Sequence, residues 1–429
     1  MKICVITLGC PKNIVDSEYL TGQLFDNRVK FTERADLADV VIINTCAFIL
    51  PAREDAIETI LDAVALKESG KVKRIYVTGC LPQRYTDELR KEIPEVDGFF
   101  PQKDFIEIGR EINRQLKLTS SKSSISRRLQ TPGHYAYLKI SEGCNNRCRY
   151  CTIPIIKGNY KSKPQNEILN EAKQLVDSGV RELIVVAQDT TYYGWDTGEK
   201  GALKRLIKSL AKIDQLKWIR ILYAQAAHLK EDVIHLFKEE EKLCRYIDIP
   251  IQHISDKILK SMGRQVTETE IRKLIDRLRA EVPEIAIRTT LMVGYPGENE
   301  EDFRVLKNFV SEVQFERLGV FKFISEDGTP AARMSGQVAE DLKEDRREEI
   351  MELQYKIALK KNKKLTGRTL TVLIDELDKD DNCFLGRTQW DSPLIDNSVH
   401  IKGEAQIGKF YQVTIDRSEA YDLWAKKIQ

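Results

Sequence analysis

Net charge is almost absent from this chain: 68 Lys and Arg stand against 66 Asp and Glu over 429 residues, a balance of +2. A protein held to nucleic acid by phosphate neutralisation needs a stronger basic bias. Apolar runs of membrane length are missing too, so no membrane is expected among its partners. No secretory leader is expected, because Met1-Lys2-Ile3-Cys4-Val5-Ile6 runs straight into a strand pattern. Its nine cysteines are therefore expected in reducing cytoplasm, as metal ligands or core residues and not as disulfides. There is no internal repeat. What remains is an ordinary globular composition, 42% hydrophobic and 31% charged, long enough for two or three domains.

Residues 1–118 alternate short β-branched runs (2–7, 39–44, 73–78) with amphipathic helical stretches (13–25, 51–67, 84–92), the pattern of a parallel sheet flanked by helices. A Ser-rich, basic stretch, 119–133, reads as a linker, and its Ser126-Arg127-Arg128 as solvated. From 134 to 337 the alternation resumes, with strands near 136–141, 182–187, 218–223, 246–250, 285–293 and 318–324 and helices at 164–177 and 299–312. Six parallel strands are too few to close a (β/α)8 barrel, so an open partial (β/α)6 barrel is expected. Over 338–365, Val338, Leu342, Ile350, Leu353 and Ile357 mark one face of a charged helix. Short strands in 366–429 suggest a small β-barrel. The fold class is thus α/β, with a β-barrel at the end.

Cysteine is by default a small buried hydrophobe, and Cys4, Cys244 and Cys383 are read so. The run Cys144-Asn145-Asn146-Arg147-Cys148-Arg149-Tyr150-Cys151 breaks the default, because its intervening residues are polar and Gly143 precedes it. Three thiolates so spaced hold three corners of an iron–sulfur cube and leave one iron open, which implies chemistry at the metal. The turn follows the first barrel strand, and carboxyl ends of parallel strands are where α/β folds place their sites. A second trio emerges from the strand reading: Cys10, Cys46 and Cys80 each lie just past a strand end, two of them after glycine. These are either a second open-cornered cluster or three buried thiols.

The sequence resembles a known family. Cys144-x3-Cys148-x2-Cys151 with Tyr150 is similar to the signature of radical S-adenosylmethionine enzymes, and Met292-Val293-Gly294-Tyr295-Pro296-Gly297-Glu298 to their fifth-strand glycine motif. Leu8-Gly9-Cys10-Pro11-Lys12-Asn13, Asn44-Thr45-Cys46-Ala47-Phe48 and Thr78-Gly79-Cys80-Leu81-Pro82-Gln83 resemble the N-terminal domain of the methylthiotransferases, and the tail resembles a TRAM domain. Gly9-Cys10-Pro11-Lys12-Asn13 followed by Val15-Asp16-Ser17-Glu18 is similar to the ribosomal protein S12 branch; the tRNA-modifying branch usually carries Gly-Cys-Gln-Met-Asn.

The resemblance implies a flavodoxin-like domain, a partial triose-phosphate-isomerase-type barrel and a TRAM-like β-barrel. It implies conversion of C–H to C–S–CH3 on the β-carbon of an aspartate of ribosomal protein S12, free or in the small subunit. Two 4Fe-4S clusters and S-adenosylmethionine are its cofactors. Cys144, Cys148 and Cys151 would hold the cluster that binds S-adenosylmethionine, with Tyr150, Gln188, Asp189 and Gly294 around that molecule. Cys10, Cys46 and Cys80 would hold the auxiliary cluster that carries sulfur. A second S-adenosylmethionine would give the methyl group. The electron must arrive at low potential, which points to a flavodoxin- or ferredoxin-type donor. Lys157 and Lys163 stand where arginine is common, and Ala224-Gln225-Ala226-Ala227 replaces a usual His-Pro stretch.

Rival readings are a tRNA adenosine methylthiotransferase with the same clusters, and a non-catalytic iron–sulfur carrier or scaffold. From 366 to 429 there are 8 Lys/Arg and 11 Asp/Glu, a balance of −3. An RNA-binding module should be basic, so this balance favours a basic protein partner, and nucleic acid is not expected as the direct substrate. Trp195 and Tyr192-Tyr193 fit either a core or a substrate wall.

Overall fold

The computed structural model describes residues 1–24, 26–101, 104–118 and 127–428; residues 119–126 of the expected linker lie outside the described residues. Two units make up the chain. The first is Met1–Thr131 with Glu142–Asn146 and Cys151–Tyr160; the second is Pro132–Ser141, Arg147–Tyr150 and Lys161–Gln429.

In the first unit, Val40–Thr45 (Val-Val-Ile-Ile-Asn-Thr) is buried at every position, the signature of a strand covered on both faces. It lies at the centre of a five-stranded sheet in the order Lys30–Thr32, Lys2–Thr7, Val40–Thr45, Arg74–Gly79, Gly98–Phe100, every pair parallel. That is the flavodoxin-like order, with its topological reversal between the strands Lys2–Thr7 and Val40–Thr45. Pairing of Thr7 with Asn44 and of Thr45 with Gly79 brings three strand ends to one edge. The helix Pro11–Gly22 starts earlier than its apolar periodicity suggests, because Pro11 suits a first helical position where no N–H is needed. On one face Val41, Ile43, Ile75 and Val77 pack with Ile60, Leu81 and Ile156.

In the second unit, six parallel strands stand in sequence order as an open sheet: Tyr135–Lys139, Glu182–Val186, Trp218–Ile221, Leu243–Asp248, Ala286–Val293 and Arg317–Lys322. Helices return the chain between strands, and two of them, Glu268–Glu281 and Glu300–Val313, begin with complete capping boxes at Thr267/Glu270 and Asn299/Asp302. The helix Glu340–Lys363 buries a stripe different from the apolar one expected. Lys343, Arg346, Ile350, Gln354, Ile357 and Asn362 face inward, while Leu342 is 40% exposed. The charged members are tolerated because each finds a partner: Arg346 Nη1 lies 2.8 Å from Glu298 Oε1, and Lys343 Nζ donates to the Phe323 carbonyl at 3.0 Å.

The last five strands, Thr369–Asp378, Cys383–Thr388, Ser398–Lys402, Phe410–Ser418 and Asp422–Lys427, close into a barrel. It is fastened to the amino ends of the open sheet by paired charges. Glu182 receives Arg220 Nε at 2.8 Å and Arg387 Nη2 at 2.8 Å, and Arg387 Nε also reaches Asp375 at 2.6 Å. Arg317 Nε meets Asp391 at 2.9 Å, and Tyr246 donates to Asp396 at 2.7 Å. Burial pushes the Glu182 carboxyl up, but Arg387 and Arg220 outweigh it and hold the group below its ordinary range. These pairs change the meaning of the charge count. With Asp375, Asp391, Asp396 and Arg387 engaged inward, eight acidic and seven basic side chains of 366–429 are left for the surface. The acidic surplus is mostly neutralised inside, so it says little about a partner.

Candidate functional site

At the edge of the first unit, Cys10, Cys46 and Cys80 follow the strands that end at Thr7, Thr45 and Gly79. Cys10 and Cys46 flank the topological reversal, where open α/β sheets bind ligands. Two asparagines hold the turns in place. Asn13 Nδ2 donates to the Leu8 carbonyl at 2.8 Å and to the Thr45 carbonyl at 3.2 Å; Asn44 Nδ2 donates to the Asn13 carbonyl and to Ser17 Oγ, each at 2.9 Å. Gly9, at φ +90, is the residue that lets the turns approach: a Cβ there would stand 2.8 Å from Cys46 Cβ and 2.9 Å from its sulfur. Gly79, at φ +94, is similarly enclosed by Asn44 and Thr45.

Burial pushes the Cys80 thiol up to about 12, with the nearby Lys157 ammonium opposing and Cys46 and Cys10 adding. Cys46 is raised by burial too; the N–H groups of Phe48 and Ala47 and the Lys157 charge oppose, and Cys10 adds. The three sulfurs therefore lie within electrostatic reach of one another.

Of the central trio, Cys144 and Cys151 belong to the first unit. Cys144 is buried, and its N–H donates to the Gly158 carbonyl at 3.0 Å. Gly143, at φ +75, passes so close to Asn159 that a Cβ would lie 2.1 Å from its carbonyl oxygen. Cys151 is half-buried, and Thr152 just after it donates to the Phe48 carbonyl at 3.1 Å, two residues beyond Cys46.

Cys148 and Tyr150 belong to the second unit. Arg264 Nη1 lies 3.8 Å from the Cys148 sulfur. The Arg149 N–H donates to Met262 and its carbonyl accepts from Ala331. Tyr150 sets its ring edge-on to Tyr295, 6.4 Å between centroids, beside a cluster of Ile258, Met262, Phe323 and Ala331.

The other expected residues follow the second and the fifth strands of the open sheet. Gln188 and Asp189 follow Glu182–Val186. Asp189 is fully buried; Thr191 donates to its Oδ1 at 2.7 Å, and His228 Nδ1 lies 2.7 Å from its Oδ2. Gly294, at φ +72, gives its N–H to Glu298 at 2.9 Å and makes room for the Lys343 stem, which a Cβ would meet at 2.2 Å. The sequence alone does not single out His228 or Arg264. The pairing of His228 with Asp189 spans 39 positions and leaves no local pattern. His228 also packs at a tilt against the rings of Tyr192 and Trp195, with centroids 5.0 and 5.2 Å away. Trp195 is 42% exposed and, with Thr191, Lys230 and Asp232, lines a cavity of about 470 Å³, so it is a wall and not core.

Among the described residues, no group of three Cys, His, Asp or Glu is arranged to hold a single metal ion. The donor chemistry nonetheless suits iron–sulfur: thiols on strand-end turns, with glycines where a Cβ would fill the space.

Similarity to known proteins settles the family. Residues 138–310 match the radical SAM superfamily, 2–101 the uncharacterized protein family UPF0004, and 366–428 the TRAM domain. A protein of Geobacter sulfurreducens named ribosomal protein uS12 methylthiotransferase RimO is 44% identical, covering 98% of this chain and 97% of its own. Proteins of the same name from Phocaeicola vulgatus and Clostridioides difficile are 44% and 42% identical, each over 99% of this chain.

The chain belongs to the uS12 methylthiotransferase family. As a member of that family it is a radical SAM methylthiotransferase, an enzyme of iron–sulfur and S-adenosylmethionine. Its fold is shared by solved radical S-adenosylmethionine proteins. The methyltransferase TsrM of Kitasatospora setae, with cobalamin and a 4Fe-4S cluster bound, superposes with a TM-score of 0.55 at 14% identity over 77% of this chain and 76% of its own. The cobalamin-dependent enzyme OxsB reaches 0.51 at 12% identity, over 82% of this chain and 56% of its own. No helix among the described residues is long and apolar enough to cross a membrane.

Proposed function

We propose that this enzyme places a methylthio group on the β-carbon of an aspartate of ribosomal protein S12. One observation carries the reading: proteins named for that activity match nearly the whole chain at 44% identity, through both cysteine trios and the tail. In this reading Cys144, Cys148 and Cys151 hold one 4Fe-4S cluster and leave its fourth iron for S-adenosylmethionine, while Cys10, Cys46 and Cys80 hold a second. When bound, these groups supply the one-electron chemistry that breaks an unactivated C–H bond, which no side chain provides.

The chain's own residues bind and orient. Arg264 sets a positive charge beside Cys148. Asp189, fixed by Thr191 and His228, and Gln188 stand with Tyr150 and Gly294 as the residues around S-adenosylmethionine. The bond from Thr152 to Phe48 ties the segment after Cys151 to the turn after Cys46, which supports two centres acting on one substrate. The domains follow the division 1–118, 119–133, 134–337, 338–365 and 366–429. A flavodoxin- or ferredoxin-type protein delivers the electron, and the setting is cytoplasmic.

The reconstituted enzyme, given a reductant and S-adenosylmethionine, is incubated in parallel with S12 and with unmodified tRNA, and both are read by mass. A methylthio increment on an S12 aspartate is the expected result. An increment on tRNA alone overturns the choice of substrate.

A further inference from the structure

The helix Leu50–Glu68 lies in the first unit and follows the turn that carries Cys46. One side of it builds the core: Ala56, Ile60, Ala63 and Val64 are buried with Val41, Ile43, Ile75 and Val77 of the sheet. Its apolar content does not end there. Leu50, Ile57 and Leu61 are 43, 39 and 50% exposed, and Phe48, just beyond Cys46, is 38% exposed. At about 100° per residue the three helical positions fall within about 40° of one another, so they form one ridge on the outer side.

Beside the ridge runs a row of acids. Glu54, Glu58 and Asp62 recur at every fourth position, with Asp55 next to them, all exposed. Among the described residues, none of these four side chains forms an ion pair. The two cations of the helix are engaged elsewhere: Lys67 Nζ meets Asp97 at 2.6 Å, and Arg53 Nη1 reaches the Tyr85 hydroxyl at 3.3 Å. Like charges four residues apart disfavour a helix, and exposed Ile and Leu add nothing to its core face. The helix Glu340–Lys363 shows the ordinary solution, with Glu352 paired to Lys356 and Glu349 to Lys307, each at 2.7 Å. Folding alone therefore does not account for the outer side of Leu50–Glu68. An apolar ridge rimmed by charge of one sign is the make-up of a protein-docking face.

The sign of the charge selects the occupant. A protein that sits on ribosomal RNA neutralises phosphates with Lys and Arg, so S12 as a free chain presents a basic surface. Carboxylates attract that surface, whereas they repel tRNA and the phosphate-covered small subunit. We propose that the outer side of Leu50–Glu68 is the docking surface for free S12. Phe48, Leu50, Ile57 and Leu61 take apolar side chains of S12, and Glu54, Glu58 and Asp62 pair with its lysines and arginines. The inference rests on S12 being the substrate. Because the face starts beside Cys46, a docked chain is brought to the sheet edge where Cys10, Cys46 and Cys80 lie.

The test uses the full-length reconstituted enzyme with dithionite as reductant and free S12 as substrate, methylthiolation being read by mass. Glu54→Lys, Glu58→Lys and Asp62→Lys together are expected to raise KM for S12 about tenfold at low salt, with kcat unchanged. Added salt is expected to raise the wild-type KM but not that of the triple variant. Ile57→Ser with Leu61→Ser is expected to raise KM several-fold and to keep the salt dependence. Iron per chain, and release of 5′-deoxyadenosine without S12, are expected to match wild type in both variants. Where the triple lysine variant fails that control, Glu54→Gln, Glu58→Gln and Asp62→Asn take its place, with a smaller rise in KM and a shallower salt dependence expected. An unchanged KM in variants that pass the control overturns the proposal, as does a fall in kcat alone. A loss seen only when a flavodoxin- or ferredoxin-type protein replaces dithionite, or only with assembled subunits, also overturns it. Failure of the underlying reading looks different: the wild-type enzyme would itself leave S12 unmodified.

Discussion

The two ends of the open six-stranded sheet put the same strands to opposite uses. At the amino ends, Glu182, Arg220, Arg387 and Asp375 form a buried lattice in which acids face arginines, and it secures the C-terminal barrel. At the carboxyl ends stand the turn with Cys148, the Asp189–His228 pair, the half-exposed Trp195 and a cavity. Polar groups at the first end are matched to one another; at the second they are arranged around space. The lesson is that burial of charge does not by itself mark a site, because Glu182 and Arg220, as deeply buried as Asp189, serve attachment.

The largest expected effect tests the carboxyl end. Cys148→Ala should remove about one cluster's worth of iron and abolish release of 5′-deoxyadenosine while the melting temperature of the metal-free chain stays put. If both activity and iron persisted, the contrast between the ends would fail. Next comes the amino end. Arg387→Met leaves Glu182 and Asp375 facing an uncharged side chain, and should lower stability by about 3–5 kcal/mol in denaturant titration. Iron per folded chain should not change.

A smaller effect is expected at His228. Its replacement by alanine frees one oxygen of Asp189, so affinity for S-adenosylmethionine measured by calorimetry should weaken about tenfold, or about 1.4 kcal/mol. Unaltered binding would remove Asp189 from the cofactor's surroundings.

The smallest effect is a pH slope. Burial pulls His253 down to about 3, from an ordinary 6.5; Asp302 opposes this, and Arg346 and Lys257 add to it. A neutral folded imidazole means that the unfolded chain binds the extra proton. Stability from this source is intact above about pH 6.5 and drains away as pH falls toward 3. Glu298, at 3.6 Å and pushed up by burial, works in the opposite sense, so the comparison is made against a variant that keeps Glu298 in place, between pH 7 and 5. Over that window the stability of wild type should fall more steeply than that of His253→Gln; parallel curves would contradict the assignment.

Much of this was legible in the residues. Long β-branched runs such as Val40–Thr45 announce themselves, and the spacing of Cys144, Cys148 and Cys151 is local. The three-residue edge strands Lys30–Thr32 and Gly98–Phe100 were not read, being too short for any period to show. The trio of Cys10, Cys46 and Cys80 became visible only through strand ends, since it is tertiary and not local. Lys157 was noticed as a departure from arginine, but its approach to Asp16, 141 positions away, is set by the fold. The charge tally of the tail favoured a protein partner, in line with the relatives, but on weak physical ground: a sequence shows the number of carboxylates and not which ones turn inward to Arg317 and Arg387.

The fastening of the tail barrel at the amino ends has an evolutionary reading. A few anchor points, Arg387, Asp391 and Asp396 among them, carry the attachment, so substitutions on the outer face of that barrel need not disturb it. The barrel and the open sheet are thereby joined through a small set of charged side chains, and changes elsewhere on the barrel leave that joint in place.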